Sequence, residues 1–139
     1  MPNIDFPHGE LTGRFIAGFH ETFRELGHGF SESVCQRALG IVLADLGLNV
    51  LLEVPLNVQF RGHVIGTFSA DMVVNETVLV EIKAGQSLEG WPQTQLLNYL
   101  KAGGGGVGLL VNFGRYPEHK RFIMGDNAAD SLPCLRRKR

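Results

Sequence analysis

Asp71, Glu81 and Lys83 are charges set into apolar, strand-like sequence. In Val78-Leu79-Val80-Glu81-Ile82-Lys83-Ala84 an extended backbone puts Glu81 and Lys83 on one face. Val78, Val80 and Ile82 fall on the other. An unpaired charge in the middle of a sheet is costly, so these groups need partners or a task. Two neighbouring carboxylates with a lysine one side chain further along suit a hard cation such as Mg²⁺, with Mn²⁺ as a substitute. Such an ion lowers the pKa of a bound water, and ion and lysine together stabilise negative charge growing on a phosphate oxygen. The same residues also suit a structural Asp–Lys–Glu ion-pair cluster on a solvated face. Spacing alone does not choose.

Whether Asp71 joins the pair depends on register. A two-residue loop at Asn75-Glu76 would set Asp71 opposite Val80, with its carboxylate on the Val78-Val80-Ile82 face. A three-residue loop, Asn75-Glu76-Thr77, sets Asp71 opposite Glu81 instead. Asp71, Val73, Leu79, Glu81 and Lys83 then line one face, and Ala70, Met72, Val74, Val78, Val80 and Ile82 form a wholly apolar second face. A one-residue slip would move every side chain to the wrong side, so the apolar pattern selects the odd loop, or a bulge with the same effect. Directly opposed residues have Cβ atoms only ~4.5–5.5 Å apart, close enough to share a cation.

The elements that must hold these residues are legible from period and punctuation. Residues 10–26 read as an amphipathic helix with Phe15, Phe19 and Phe23 every four residues, a core stripe, stopped by Gly27-His28-Gly29. Ser31 is a suitable N-cap for a second helix running to Leu46, with Val34, Cys35, Leu39, Val42 and Leu46 among its apolar residues. The period then becomes extended over Val50–Phe60, where Pro55 demands an edge or a bend. Arg61-Gly62-His63 marks a hairpin turn, and Val64–Val74 and Val78–Ala84 are two further strands. Pro92 begins a third helix, Gln93–Ala102, which four glycines end. Val107–Phe113 is a strand, and a short last one falls near Arg121–Met124. The order is ααβββαββ: an α/β fold with a mixed four- to five-stranded sheet flanked by helices. A domain over 10–124 is expected, with an N-terminal extension over 1–9 and a flexible, basic-ended tail over 125–139.

At 139 residues, 44% hydrophobic and 19% charged, the chain has one domain's worth of core. No run is long and apolar enough to span a bilayer, the start lacks a signal sequence, and two cysteines make no disulfide scaffold. A cytoplasmic protein without membrane contact is expected. The net charge of −1 conceals an asymmetry. The last four residues are all basic, and the rest of the chain carries nine Lys and Arg against fourteen Asp and Glu. That is not the strongly basic surface of many nucleic-acid binders. Gly103, Gly105 and Gly108 spell a dinucleotide-binding fingerprint, but they follow a helix and enter a strand, the reverse of what a pyrophosphate needs. The five histidines show no metal-ligand spacing. Cys35 reads as a small core residue and Trp91 as packing beside the third helix.

The hairpin with Asp71, the strand with Glu81-x-Lys83 and the following helix with Gln95 resemble the PD-(D/E)xK nuclease superfamily, whose core is restriction-endonuclease-like. Over roughly residues 10–124, nearly the whole chain, the sequence is similar to one small bacterial group within it, the GxxExxY proteins. The similar segments are Arg24 to Val34, Ala70-Asp71, Val80 to Ala84, Gln95 to Lys101 and Val107 to Gly114. The resemblance implies a metal-dependent nuclease acting on DNA or RNA. Asp71 and Glu81 would hold Mg²⁺ with the backbone carbonyl of Ile82, and Lys83 would position or activate water. Glu32, the glutamate of the group's name, and Gln95 would complete the rim. Two departures stand out: Cys35 replaces the group's tyrosine, and Pro92 replaces a histidine three residues before the glutamine. Two alternatives stay open, a non-catalytic binding or regulatory module with the same fold, and hydrolysis of a smaller phosphodiester. A homodimer or a partner protein is a further expectation, from fold analogy.

Overall fold

The computed structural model describes residues 8–85 and 87–125. The helices are α1, Gly9–Leu26, α2, Glu32–Asp45, and α3, Trp91–Ala102. The strands are β1, Val50–Phe60, β2, His63–Val74, β3, Val78–Lys83, β4, Gly106–Phe113, and β5, Pro117–Met124. The expected order ααβββαββ is the observed one. Apart from His8, Gly9 and Gly125, the expected extension and tail lie outside the described residues.

One five-stranded sheet runs β1-β2-β3-β4-β5. All neighbours are antiparallel except β3 and β4, which are parallel because α3 crosses between them. β1 is an edge strand, which is where Pro55 can be tolerated. Ser31 caps α2, its side chain accepting from the Val34 amide at 3.3 Å. Between β2 and β3 the loop is Asn75-Glu76-Thr77, with Asn75 and Glu76 at φ 50° and 57°. Asn75 is pinned by its amide to the Asn49 carbonyl, 2.8 Å, and by its side-chain oxygen to the Asn49 amide, 2.7 Å. The pairs Met72↔Val80, Val73↔Leu79 and Val74↔Val78 follow. The odd loop and the register it dictates are therefore the ones the structure adopts.

Two apolar layers sandwich the sheet. Phe15, Phe19, Leu39 and Leu43 of α1 and α2 pack with Met72, Val80, Ile82 and Val111 on one face. Leu96 and Leu100 of α3 pack with Val73, Leu79 and Leu110 on the other. Phe19 meets Phe113 edge-on, ring centroids 5.0 Å apart.

Several expectations need correcting. Ala70 packs with Val54 and Leu56 in the α3-side layer, not with Met72 and Val74. The cause is Glu53, at φ 53° between the pairs Leu52↔Met72 and Val54↔Ala70. A left-handed residue inside a strand breaks strict alternation, so Leu52 lies against Gly40 of α2 while Val54 turns to the opposite layer. Trp91 is 70% exposed, not packed. It stands five residues before Leu96, about 140° around the helix from the buried stripe. Val34 and Leu46 are exposed as well, one flanking the Cys35–Leu39–Leu43 stripe and the other at the α2 C-cap. β5 begins at Pro117, earlier than its composition suggested, because it gains a full ladder with β4.

Candidate active site

Glu81 is carried into the α3-side face by β3 and is only 4% exposed. Asp71 lies beside it on β2, one step beyond the pair Met72↔Val80. The Asp71 carboxylate accepts from the Ile82 amide at 2.7 Å, and the Asp71 amide donates to Glu81 Oε1 at 3.4 Å. Burial, then the neighbouring Asp71 charge and a carboxyl–carboxylate hydrogen bond, push Glu81 up to about 9. At neutral pH Glu81 therefore keeps its proton.

Lys83 extends along the same face. Its Nζ donates to Gln95 Oε1 of α3 at 3.0 Å, and Gln95 Nε2 donates to the Tyr99 hydroxyl at 2.8 Å. Tyr99 stacks on Phe68 with centroids 3.7 Å apart and planes 11° from parallel. Burial and the Glu81 charge raise the Tyr99 pKa, so the phenol keeps its proton. Behind the site, the side chain of buried Asn112 bonds both backbone groups of Gly85, at 2.9 and 3.0 Å, and fixes the exit of β3.

The second helix reaches the site through a residue the sequence did not single out. Gln36 Nε2 donates to the Asp71 carbonyl at 2.6 Å and to Glu53 Oε1 at 2.9 Å. Ser69 Oγ donates to Glu53 Oε2 at 2.8 Å. Gln36 and Ser69 thus hold the left-handed Glu53 at the point where the strands switch layers. Glu32 is exposed in the first turn of α2, one turn before Gln36, and no hydrogen bond joins it to Asp71, Glu81 or Lys83 among the described residues. Asp71, Glu81, Lys83 and Gln95 are brought together. Ile82 adds its amide to them. The available signals for the missed residues were thin: Gln36 is a polar residue four positions after Glu32 on the helix, and Glu53 a lone acid in an apolar strand.

These residues fit a divalent cation by their chemistry. Two neighbouring carboxyls, one of them buried, present hard oxygen donors to one ion. No group of three or more His, Cys, Asp or Glu is placed to cage an ion among the described residues. Mg²⁺ needs no such cage, since it keeps waters when one or two carboxylates hold it.

The model of the PD-(D/E)XK nuclease superfamily matches residues 9–122, nearly the whole described chain. The chain belongs to the PD-(D/E)XK nuclease superfamily. The nuclease-type fold is accordingly the one expected from Asp71, Glu81 and Lys83. No curated protein matches the chain. Among solved structures, the crystal structure of SSO0001 is similar at 20% identity and a TM-score of 0.50, over 93% of this chain and 64% of that one. The chain thus spans less than two thirds of that protein, and the likeness is one of fold, a restriction-endonuclease-like mixed sheet flanked by helices. No helix among the described residues is long and apolar enough to cross a membrane.

Proposed function

We propose that this PD-(D/E)XK chain is a metal-dependent nuclease that hydrolyses phosphodiester bonds of DNA or RNA. The observation that carries the reading is the Asp71–Glu81 carboxyl pair set side by side on one sheet face, Glu81 buried, with Lys83 beside it. Asp71 and Glu81 would hold Mg²⁺, with Mn²⁺ as a substitute and the Ile82 carbonyl as a third oxygen. The ion supplies Lewis acidity and a more acidic bound water.

The chain's own residues do the rest. The Ile82 amide orients one Asp71 oxygen, leaving its partner oxygen to the cation. Gln95 and Tyr99 keep the Lys83 ammonium on the site face, where it can orient water and offset charge on a non-bridging phosphate oxygen. Glu32 supports the rim from the first turn of α2, as in the GxxExxY group the sequence resembles. A cytoplasmic, bacterial setting fits that resemblance too.

The test is cleavage of labelled DNA and RNA by the wild type and Asp71→Asn with Mg²⁺ or Mn²⁺. Metal-dependent cleavage lost in a folded Asp71→Asn protein supports the proposal. Equal cleavage by that variant overturns it.

A further inference from the structure

The hairpin of β1 and β2 outgrows the sheet. β3 ends at Lys83, which by the register of Met72↔Val80 aligns with Ser69. From Phe68 outward, β2 therefore has no neighbouring strand but β1 among the described residues, and the ladder continues through Asn57↔Thr67, Val58↔Gly66, Gln59↔Val64 and Phe60↔His63. At about 3.4 Å per residue the tip lies roughly 27 Å of strand beyond Asp71. It projects past the same strand end at which Glu81 and Lys83 sit.

The arm is anchored beside the site. Leu56 is buried in the α3-side layer, and Phe68 stacks on Tyr99, whose hydroxyl is bonded to Gln95. Alternation carries that face outward from Leu56 to Val58, and the ladder then shifts register, leaving Ile65 unpaired, before the Phe60 tip. It is the face that Leu79 and Glu81 share.

Composition changes along the arm as well. No Asp or Glu occurs between Glu53 and Asp71, and none between Glu89 and Glu118, which spans all of α3 and β4. The acids Glu10, Glu21, Glu25, Glu32 and Asp45 fall instead on α1 and α2, behind the opposite face. Five of the fourteen acids thus lie behind the opposite face, while the outer arm and α3 carry none. At the tip, Arg61 and Gly62 form a two-residue turn with φ 50° and 82°. The Arg61 guanidinium lies over the Phe60 ring, 5.5 Å from its centroid. Phe60 is 59% and Ile65 64% exposed, although a bare two-stranded ribbon has little core of its own.

We infer that this arm is a substrate-binding element that takes nucleic acid with unpaired bases, stacking a base on the Phe60–Arg61 tip while the strand runs back to Asp71, Glu81 and Lys83. The inference rests on the nuclease reading for its polarity and deepens it by naming the substrate class. With Arg61 the arm's one full cation, electrostatics alone would hold duplex phosphates weakly. Stacking on an aromatic ring needs little charge and accepts any base. A single strand is therefore the better match than a closed duplex.

The experiment compares the wild type with Phe60→Ala and Arg61→Ala, both at an exposed turn. Fluorescence anisotropy reads binding of a labelled oligothymidylate and of a duplex of equal length, without divalent metal. Turnover of bis(p-nitrophenyl) phosphate with Mn²⁺ reads the reacting centre alone. Expected is tighter binding of the single strand than of the duplex. Phe60→Ala should weaken it about 5- to 100-fold. Arg61→Ala should reduce the salt slope by about 0.7. Diester turnover should stay unchanged in both. Single-strand binding unaffected by either variant, or a preference for duplex, overturns the proposal. So does a wild-type dimer that these variants convert to monomer in sedimentation, because the tip would then be a contact between copies. A wild type that binds through Phe60 but cleaves neither oligonucleotide nor diester overturns the nuclease reading and leaves the arm's role standing.

Discussion

Gln36 on α2 donates a hydrogen bond to the Asp71 carbonyl, 2.6 Å across the edge of the sheet. The same amide nitrogen reaches Glu53 Oε1, so one buried side chain ties a helix to two strands at the point where both change layers. Asp71 owes its backbone position to this tie, and its carboxylate direction to the Ile82 amide.

Gln36→Leu should therefore leave the Asp71 carbonyl and the Glu53 carboxylate short of a donor. Losing partners of this kind costs about 1–3 kcal/mol. Urea denaturation is expected to show that loss, and calorimetric titration with Mn²⁺ a weaker affinity. Unchanged Mn²⁺ affinity in a variant that has lost stability would mean that Gln36 supports the fold but not the acid pair.

Glu81 makes the metal-free protein sensitive to alkali. Its folded pKa, about 9, lies above the ~4.3 of an unfolded glutamate. Between those values the folded state holds a proton that the unfolded state has released. The stabilisation is complete below about pH 4.3, declines as pH rises, and is gone above about 9. Tm measured in chelator should fall across that window more steeply for the wild type than for Glu81→Gln, which cannot ionise. Parallel curves for the two proteins would contradict a proton held on Glu81.

Cation binding must displace that same proton. At pH 7 about one proton per ion should be released to buffer, visible as a calorimetric heat that varies with buffer ionisation enthalpy. Asp71→Asn and Glu81→Ala should each abolish saturable Mn²⁺ binding, repeated with Mg²⁺, and leave the fold intact. Binding that survives in both variants would place the ion elsewhere.

Asn112 offers a probe that touches neither Asp71 nor Glu81, its other side-chain bond going to Glu118 at 3.2 Å. It is fully buried, and its amide clamps Gly85 from both sides, two residues beyond Lys83. Asn112→Leu keeps the volume but removes both Gly85 bonds, each worth about 0.5–1.5 kcal/mol. With the variant folded, nuclease turnover should fall while Mn²⁺ affinity is retained, because the end of β3 that carries Lys83 is loosened. Turnover equal to the wild type would show that the clamp does not set Lys83.

Local periodicity determined a large part of this protein. The Phe15–Phe19–Phe23 spacing specified α1 and its buried side, and Ser31 specified the start of α2. The apolar run Val78, Val80, Ile82 excluded every register but the one that opposes Asp71 to Glu81. Such inferences work because burial on one face penalises a whole strand at once for a single slip. Tertiary structure decided what depends on partners distant in sequence. Gln36 finds Asp71 across 35 residues. Glu53 reverses the layers by a single left-handed φ, and Ala70 changes face with it. Trp91 is exposed because only the seated helix shows which stripe is covered. Glu81 acquires its proton from burial, a property of the packed sheet and of no residue alone.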